Sequence, residues 1–195
     1  MANLITLEDY KTAKGITGTT EDAKITPLLA SVSQLVRTYC GQAFTDYFAA
    51  DKTEYFDINW PAEFVQLDEG PVTSVTNVYE RPDISSAYVT LTSTEYYLDT
   101  KTDSIWRVNT EGNGYQEFYE GPAAVKVVYR AGYSACPADL KLAVVDLITY
   151  YLKEEHKPNR TLGSANLQNQ GTSSQPASAN FPDHIKRILD LYRTR

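Results

Sequence analysis

The sequence predicts an α+β chain: a small helical bundle around a long hub helix at about 137–156, with an antiparallel β module inserted at about 44–130. Three observations predict it. Apolar residues recur on a 3.6-residue period towards both ends of the chain. The middle is crowded with Tyr, Thr and Val in runs of four to eight residues, and Asn, Asp, Gly and Pro separate those runs.

The hub helix rests on GYSACPADLKLAVVDLITYYLKEEH, residues 132–156. Pro137 suits a first helical turn, where its missing N–H has no partner to lose, and Asp139 places negative charge at the positive end of the helix dipole. Leu140, Ala143, Val144, Leu147, Ile148, Tyr151 and Leu152 then form a wide apolar stripe, which Val145 and Tyr150 widen further. Such a helix needs more than one neighbour, and Pro158 ends it. The valine-rich run Ala123 to Tyr129 reads as a strand feeding this helix through a glycine turn at RAGYSAC.

Near the N-terminus Thr6, Leu7, Glu8 and Asp9 read as a capping box, so a short helix runs over 6–14 and stops near Gly15. A second helix is expected over 21–40. Its marks are Ile25, Leu28, Leu29, Val32, Val36 and Tyr39, with Cys40-Gly41 at the stop. Pro27 allows a start at Thr26 or a longer helix kinked at the proline, and the longer one is preferred. Candidate strands are Lys52 to Asp57, Phe64 to Leu67, Val72 to Tyr79, Tyr88 to Leu91, Tyr96 to Asp99, Ser104 to Val108 and Ala123 to Tyr129. Asp99 to Asp103 reads as a hairpin loop and Gly112-Asn113-Gly114 as a turn. Consecutive short strands predict an antiparallel meander.

The helices and β module make one unit over 1–158. Residues 159–180 are rich in Ser, Asn, Gln and Gly, hold one charge and no aromatic, and read as a flexible linker or long exposed loop. Beyond them Ile185, Ile188, Leu189 and Tyr192 mark a C-terminal helix within 181–195, started by Pro182 and Asp183. Its partner is either the chain's own core or another protein's groove.

A chain of 195 residues is long enough to bury its own core. The net charge of -7 argues against a sequence-independent DNA binder, which gains its affinity by neutralising phosphates. Cys40 and Cys136 make no disulfide framework and are expected as reduced thiols. Without a basic leader or an apolar run of about 18 residues, neither secretion nor membrane spanning is expected.

No nucleotide, hydrolase or metalloprotease motif occurs. His156 and His184 have no ligand-spaced partner. Asp99 and Asp103 lack the rest of a calcium loop. Glu117 with Glu120, and Glu154 with Glu155, read as solvated carboxylates. Asn159-Arg160-Thr161 is a sequon with no secretion signal to give it meaning. No active site, metal or cofactor is expected. The fifteen tyrosines and the two tryptophans, Trp60 and Trp106, read as strand surface or subunit interface before a carbohydrate platform.

Several stretches, in this order, resemble the head-tail connector (adaptor, head-completion) family of tailed bacteriophages. They are ITLEDYK at 5–11, LVRTYCGQAF at 35–44, TEYFD at 53–57, FVQLDEGPVTSVTNVY at 64–79, VVYRAGY at 127–133, the PADLKLAVVDLITYYLKEEH junction and FPDHIKRILDLYR at 181–193. Residues 79–119 carry the resemblance least. It implies a structural virion protein, made in the bacterial host cytoplasm and found at the head-tail interface. Such proteins form a ring, commonly of twelve copies, that joins the portal protein to a stopper or tail-completion protein and leaves a channel for double-stranded DNA without binding it specifically. A closed ring requires a heterologous self-contact. By this resemblance the C-terminal segment docks on the portal through Phe181, Ile185, Ile188, Leu189, Tyr192 and Arg193, ordering on contact. The channel wall is expected to be acidic or neutral. The alternatives are a tail-completion or tail-terminator ring protein, a β-rich carbohydrate-binding module, and a glycan hydrolase.

Overall fold

The computed structural model describes residues 2–111, 113–153, 159–162, 165–168 and 181–193. In chain order its elements are α1 (Leu7–Lys14), α2 (Asp22–Cys40), β1 (Lys52–Ile58), β2 (Phe64–Gln66), β3 (Val72–Glu80), β4 (Val89–Thr90), β5 (Tyr96–Asp99), β6 (Ser104–Arg107), β7 (Gly121–Ala131), α3 (Ala138–Leu152), β8 (Asn159–Leu162), β9 (Ala165–Gln168) and α4 (Asp183–Leu191). The fold is therefore mixed α+β. It divides into two compact units, one of 1–42 with 135–195 and one of 43–134.

In the helical unit the capping box forms as the spacing predicts. Thr6 Oγ1 accepts from Asp9 N at 3.0 Å and Asp9 accepts from Thr6 N at 3.0 Å. Gly15 ends α1 at φ 66, a left-handed position that a side chain would strain. α2 is the longer of the two starts considered. It runs unbroken past Pro27 in its second turn and buries Ile25, Leu29, Val32, Val36 and Cys40.

α3 has 15 residues, α2 has 19, and α2 packs against α1, α3 and α4 alike. The central role is shared because both helices carry wide apolar stripes. Pro137 is the cap residue before α3 and not part of its first turn. α3 buries Leu140, Ala143, Val144, Val145, Leu147 and Ile148. The predicted end of this helix, with Glu154, Glu155, His156 and Pro158, lies outside the described residues. Polar ties join α1 to α3: Tyr10 Oη with Thr149 Oγ1 at 3.2 Å, Lys14 with Asp146 at 3.0 Å and Lys141 with Asp9 at 2.8 Å.

The segment expected as a linker is in part paired structure. β8 and β9 form an antiparallel hairpin, Asn159 opposite Gln168 and Leu162 opposite Ala165. Backbone pairing of this kind needs no apolar side chains. The rest of 159–180 lies outside the described residues.

In the β unit all seven predicted strands occur and every pairing is antiparallel. They do not form a meander. One sheet has the order β1-β7-β3-β4 and the other β2-β6-β5. β7, the last strand of this unit in sequence, sits between β1 and β3, so its backbone N–H and C=O groups are paired along both edges. The sheets share one core: Val78, Val125 and Val127 from the first, Val65 and Ile105 from the second, with Leu91 and Phe118. Within that core Arg107 is paired with Glu80.

The glycine turn after β7 is a close backbone approach. Gly132 has φ 95, and a Cβ built there would lie 2.1 Å from the Phe44 carbonyl oxygen, which accepts from Tyr133 N at 2.7 Å.

Candidate functional site

The C-terminal helix α4 and its flanks carry the residues expected to dock on a partner. Its apolar face lies on its own chain. Phe181, Ile185 and Leu189 are buried, Ile188 and Tyr192 are half-buried, and Arg193 is exposed. α2 and α3 supply the seat. Tyr39 Oη donates to Asp190 Oδ1 at 2.5 Å, and its ring meets Phe181 edge-on at 5.0 Å. The Arg193 guanidinium lies 5.6 Å from that ring, Cys40 Sγ donates to Leu189 O at 3.6 Å, and Tyr192 Oη donates to Asp139 Oδ1 at 2.6 Å. Of the six residues expected to dock on the portal, Ile185, Ile188 and Leu189 lie on α4 while Phe181, Tyr192 and Arg193 flank it, and Phe181, Ile185 and Leu189 are turned into the chain's own helical unit.

The thiols have a quiet chemistry. Burial pushes Cys40 up to about 12 and Cys136 up to about 11, so neither is a thiolate near neutral pH. Among the described residues no group of three or more His, Cys, Asp and Glu is placed to hold a metal. Asp99 is occupied by its own turn, accepting from Lys101 N and Thr102 Oγ1, and Asp103 accepts from Val72 N. Glu117 and Glu120 are exposed, and so is His184. A second buried cluster joins Lys52, Glu54 and Glu69 to the Tyr129 hydroxyl, which donates to Glu54 Oε1 at 2.7 Å and accepts from Glu69 N at 3.2 Å. Burial raises the Glu69 carboxyl above its ordinary value. Backbone N–H groups of Ala43 and Asp68 occupy the remaining carboxylate oxygens, so the cluster is a structural joint.

The aromatic residues are sorted by the sheets. Phe64, Trp106 and Tyr97 stand opposite one another on β2, β6 and β5, on the face turned away from the core. Phe64 and Trp106 stack at 4.7 Å, and Tyr115 meets Trp106 at 4.9 Å. A groove of about 500 Å³ beside this row is lined by Trp60, Phe64 and Trp106, with Asp57, Glu63 and Glu117. Trp60 is 70% exposed. On the outward face of the other sheet Lys126 lies 3.8 Å from the Tyr79 ring centroid and 4.7 Å from that of Tyr88. The sequence held the aromatic and alternating residues of both faces. It held no sign of which strands would align them, since that depends on β6 pairing with both β2 and β5 and on β7 pairing with both β1 and β3.

A family model described as head completion protein matches residues 3–195. The chain belongs to the head completion protein family. A curated member, the head completion protein of Escherichia phage T5, is 31% identical over 64 residues, a match that spans 33% of this chain and 35% of the T5 protein. Among solved structures, the neck of an empty GTA particle, computed with C6 symmetry, contains a chain of TM-score 0.59 at 16% identity. That alignment covers 98% of this chain and 90% of that one. The neck of a native GTA particle computed with C12 symmetry gives TM-score 0.55 at 15% identity, over 92% and 93%. A virion of a native gene transfer agent particle gives 0.58 at 17% identity, over 96% and 88%. At such identities these likenesses establish a shared fold, which this chain has across both units.

Proposed function

We propose that this chain is a structural virion component, a head-tail connector that assembles as a ring beneath the portal and joins the DNA-filled head to the tail around a genome channel. The observation that carries the reading is the family match over 3–195, together with a fold shared almost end to end with chains of particle necks. The C12 and C6 symmetries of those necks support a ring, twelve copies being the count that fits both.

Charge supports the channel. The β unit holds fifteen acidic and six basic side chains, so the chain's net negative charge resides there. A ring presenting that unit to DNA would repel phosphates and let the duplex slide.

The proposed partners are the portal protein on one side and a stopper or tail-completion protein on the other. Portal docking by Phe181, Ile185, Ile188, Leu189, Tyr192 and Arg193 takes the form of an exchange, in which α4 leaves its seat on α2 and α3 for a portal groove of similar apolar character. The test is imaging of the protein bound to its portal, with the subunits counted and α4 traced. Twelve copies with α4 against the portal are expected. A single copy on the portal overturns the ring, and α4 still seated on its own helices overturns the exchange.

A further inference from the structure

The fifteen acids of the β unit set a condition on any contact between two copies. They repel unless a cation of one meets a carboxylate of the other. Three of the unit's six bases are matched within the chain, Lys52 with Glu54, Arg107 with Glu80 and Arg130 with Asp51. Two of the remaining three, Arg81 and Lys126, sit together against Tyr88, whose ring centroid lies 4.6 Å from the Arg81 guanidinium. Carbonyl oxygens of Ala123, Ile84 and Pro122 hold Arg81 at 3.1, 3.2 and 3.2 Å. Among the described residues no carboxylate lies within ion-pair distance of either cation. Rings and carbonyls therefore fix the position of both charges without neutralising them.

The outward face of the other sheet has the opposite character. The Phe64, Trp106 and Tyr97 row is apolar, and the groove beside it is edged by the exposed Glu63 and Glu117, neither of them ion-paired among the described residues. Since the two sheets enclose one core, the two faces point to opposite sides of the same sandwich.

We propose that these faces meet between neighbouring copies of this chain, the acid-edged aromatic face of one receiving the Lys126 and Arg81 platform of the next. This rests on the ring reading above and adds which surfaces close the ring. A contact between two unlike faces on opposite sides of a subunit is heterologous, so it propagates from copy to copy and closes by rotation. It also has the composition of a specific interface, aromatic at the centre and charged at the edge. A second copy fits the groove better than a sugar. Phe64 and Trp106 each spend a ring face on the other, and the carboxylates attract a cation where a neutral glycan gains nothing from them.

The test uses full-length protein. Self-association is followed by mass photometry on the free chain and by subunit counting on the portal complex. Lys126→Glu and Glu117→Lys, both surface changes, are each expected to weaken association about tenfold or more through like-charge contact. The doubly substituted chain restores it, and so does an equimolar mixture of the two single variants, because each then faces its complement. Trp106→Ala weakens association without charge change. If wild-type rings form and neither charge variant alters them, the proposed surfaces are wrong while the ring stands. Variants that lose only the portal or another partner, with self-association intact, assign the faces elsewhere and also overturn the proposal. A wild type that remains single both free and on the portal overturns the ring itself.

Discussion

Tyr39 of α2 and Asp190 of α4 are joined by a hydrogen bond of 2.5 Å, beside the edge-on contact of Tyr39 with Phe181. This pair ties the last helix to the second across nearly the whole sequence. The hydrogen bond that Tyr39 donates to the Asp190 carboxylate raises its phenol above its ordinary value, because a phenolate could not make it, and burial adds to the effect. Tyr39 should titrate late in a spectrophotometric titration, and Asp190→Asn should bring it back towards 10.0.

α4 contributes to the core of the helical unit. Leu189 is 0% exposed and Ile185 1% exposed. Leu189→Ala and Ile185→Ala should each cost about 2–5 kcal/mol, read by denaturant unfolding. Removal of 181–195 should therefore lower stability as well as any portal affinity, and a truncated chain that melts like the full one would show that α4 is not part of this core.

The Arg107 and Glu80 side chains make a two-point contact inside the β unit, at 3.3 and 3.1 Å. Arg107 Nη1 also donates to the carbonyls of Glu95 and Val108. Arg107→Met leaves the Glu80 carboxylate buried without its cation and should cost about 3–5 kcal/mol. Simultaneous Arg107→Met and Glu80→Leu should recover much of that loss, which a double-mutant cycle measures.

Gly132→Ala places a methyl 2.1 Å from the Phe44 carbonyl oxygen at a φ of 95. The loop must shift to admit it, and a loss of more than about 1 kcal/mol is expected in thermal unfolding. Gly15→Ala has the same left-handed strain but open space around it, so its cost should be smaller.

Acid stability follows from Asp9, whose carboxyl is lowered from 3.8 to about 2, first by Lys141 and then by the backbone and side chain of Thr6. A carboxyl depressed in the folded state stabilises fully above its unfolded value and loses that contribution as pH falls through the folded one. The wild type should therefore lose stability between about pH 4 and pH 2, and Asp9→Asn should be less stable at neutral pH and show a flatter acid limb.

Local chemistry determined much of this protein without help from the rest of the fold. Thr6 with Asp9, the stripe from Leu140 to Ile148 and the strand-forming composition of the seven β segments all act within a few residues, so their physics is complete in the sequence. The presence of α4 was legible in Ile185, Ile188, Leu189 and Tyr192 for the same reason, although its seat was not. Long-range contact decided the rest. A strand carries no mark of its neighbour, so only the folded sandwich brought β7 between β1 and β3 and set Phe64, Trp106 and Tyr97 in one row. Charge counts summed the acids and bases but could not say which were paired. That Lys52, Arg107 and Arg130 lie within ion-pair distance of carboxylates, while among the described residues Lys126 and Arg81 do not, is a property of distances, and distances belong to the tertiary structure.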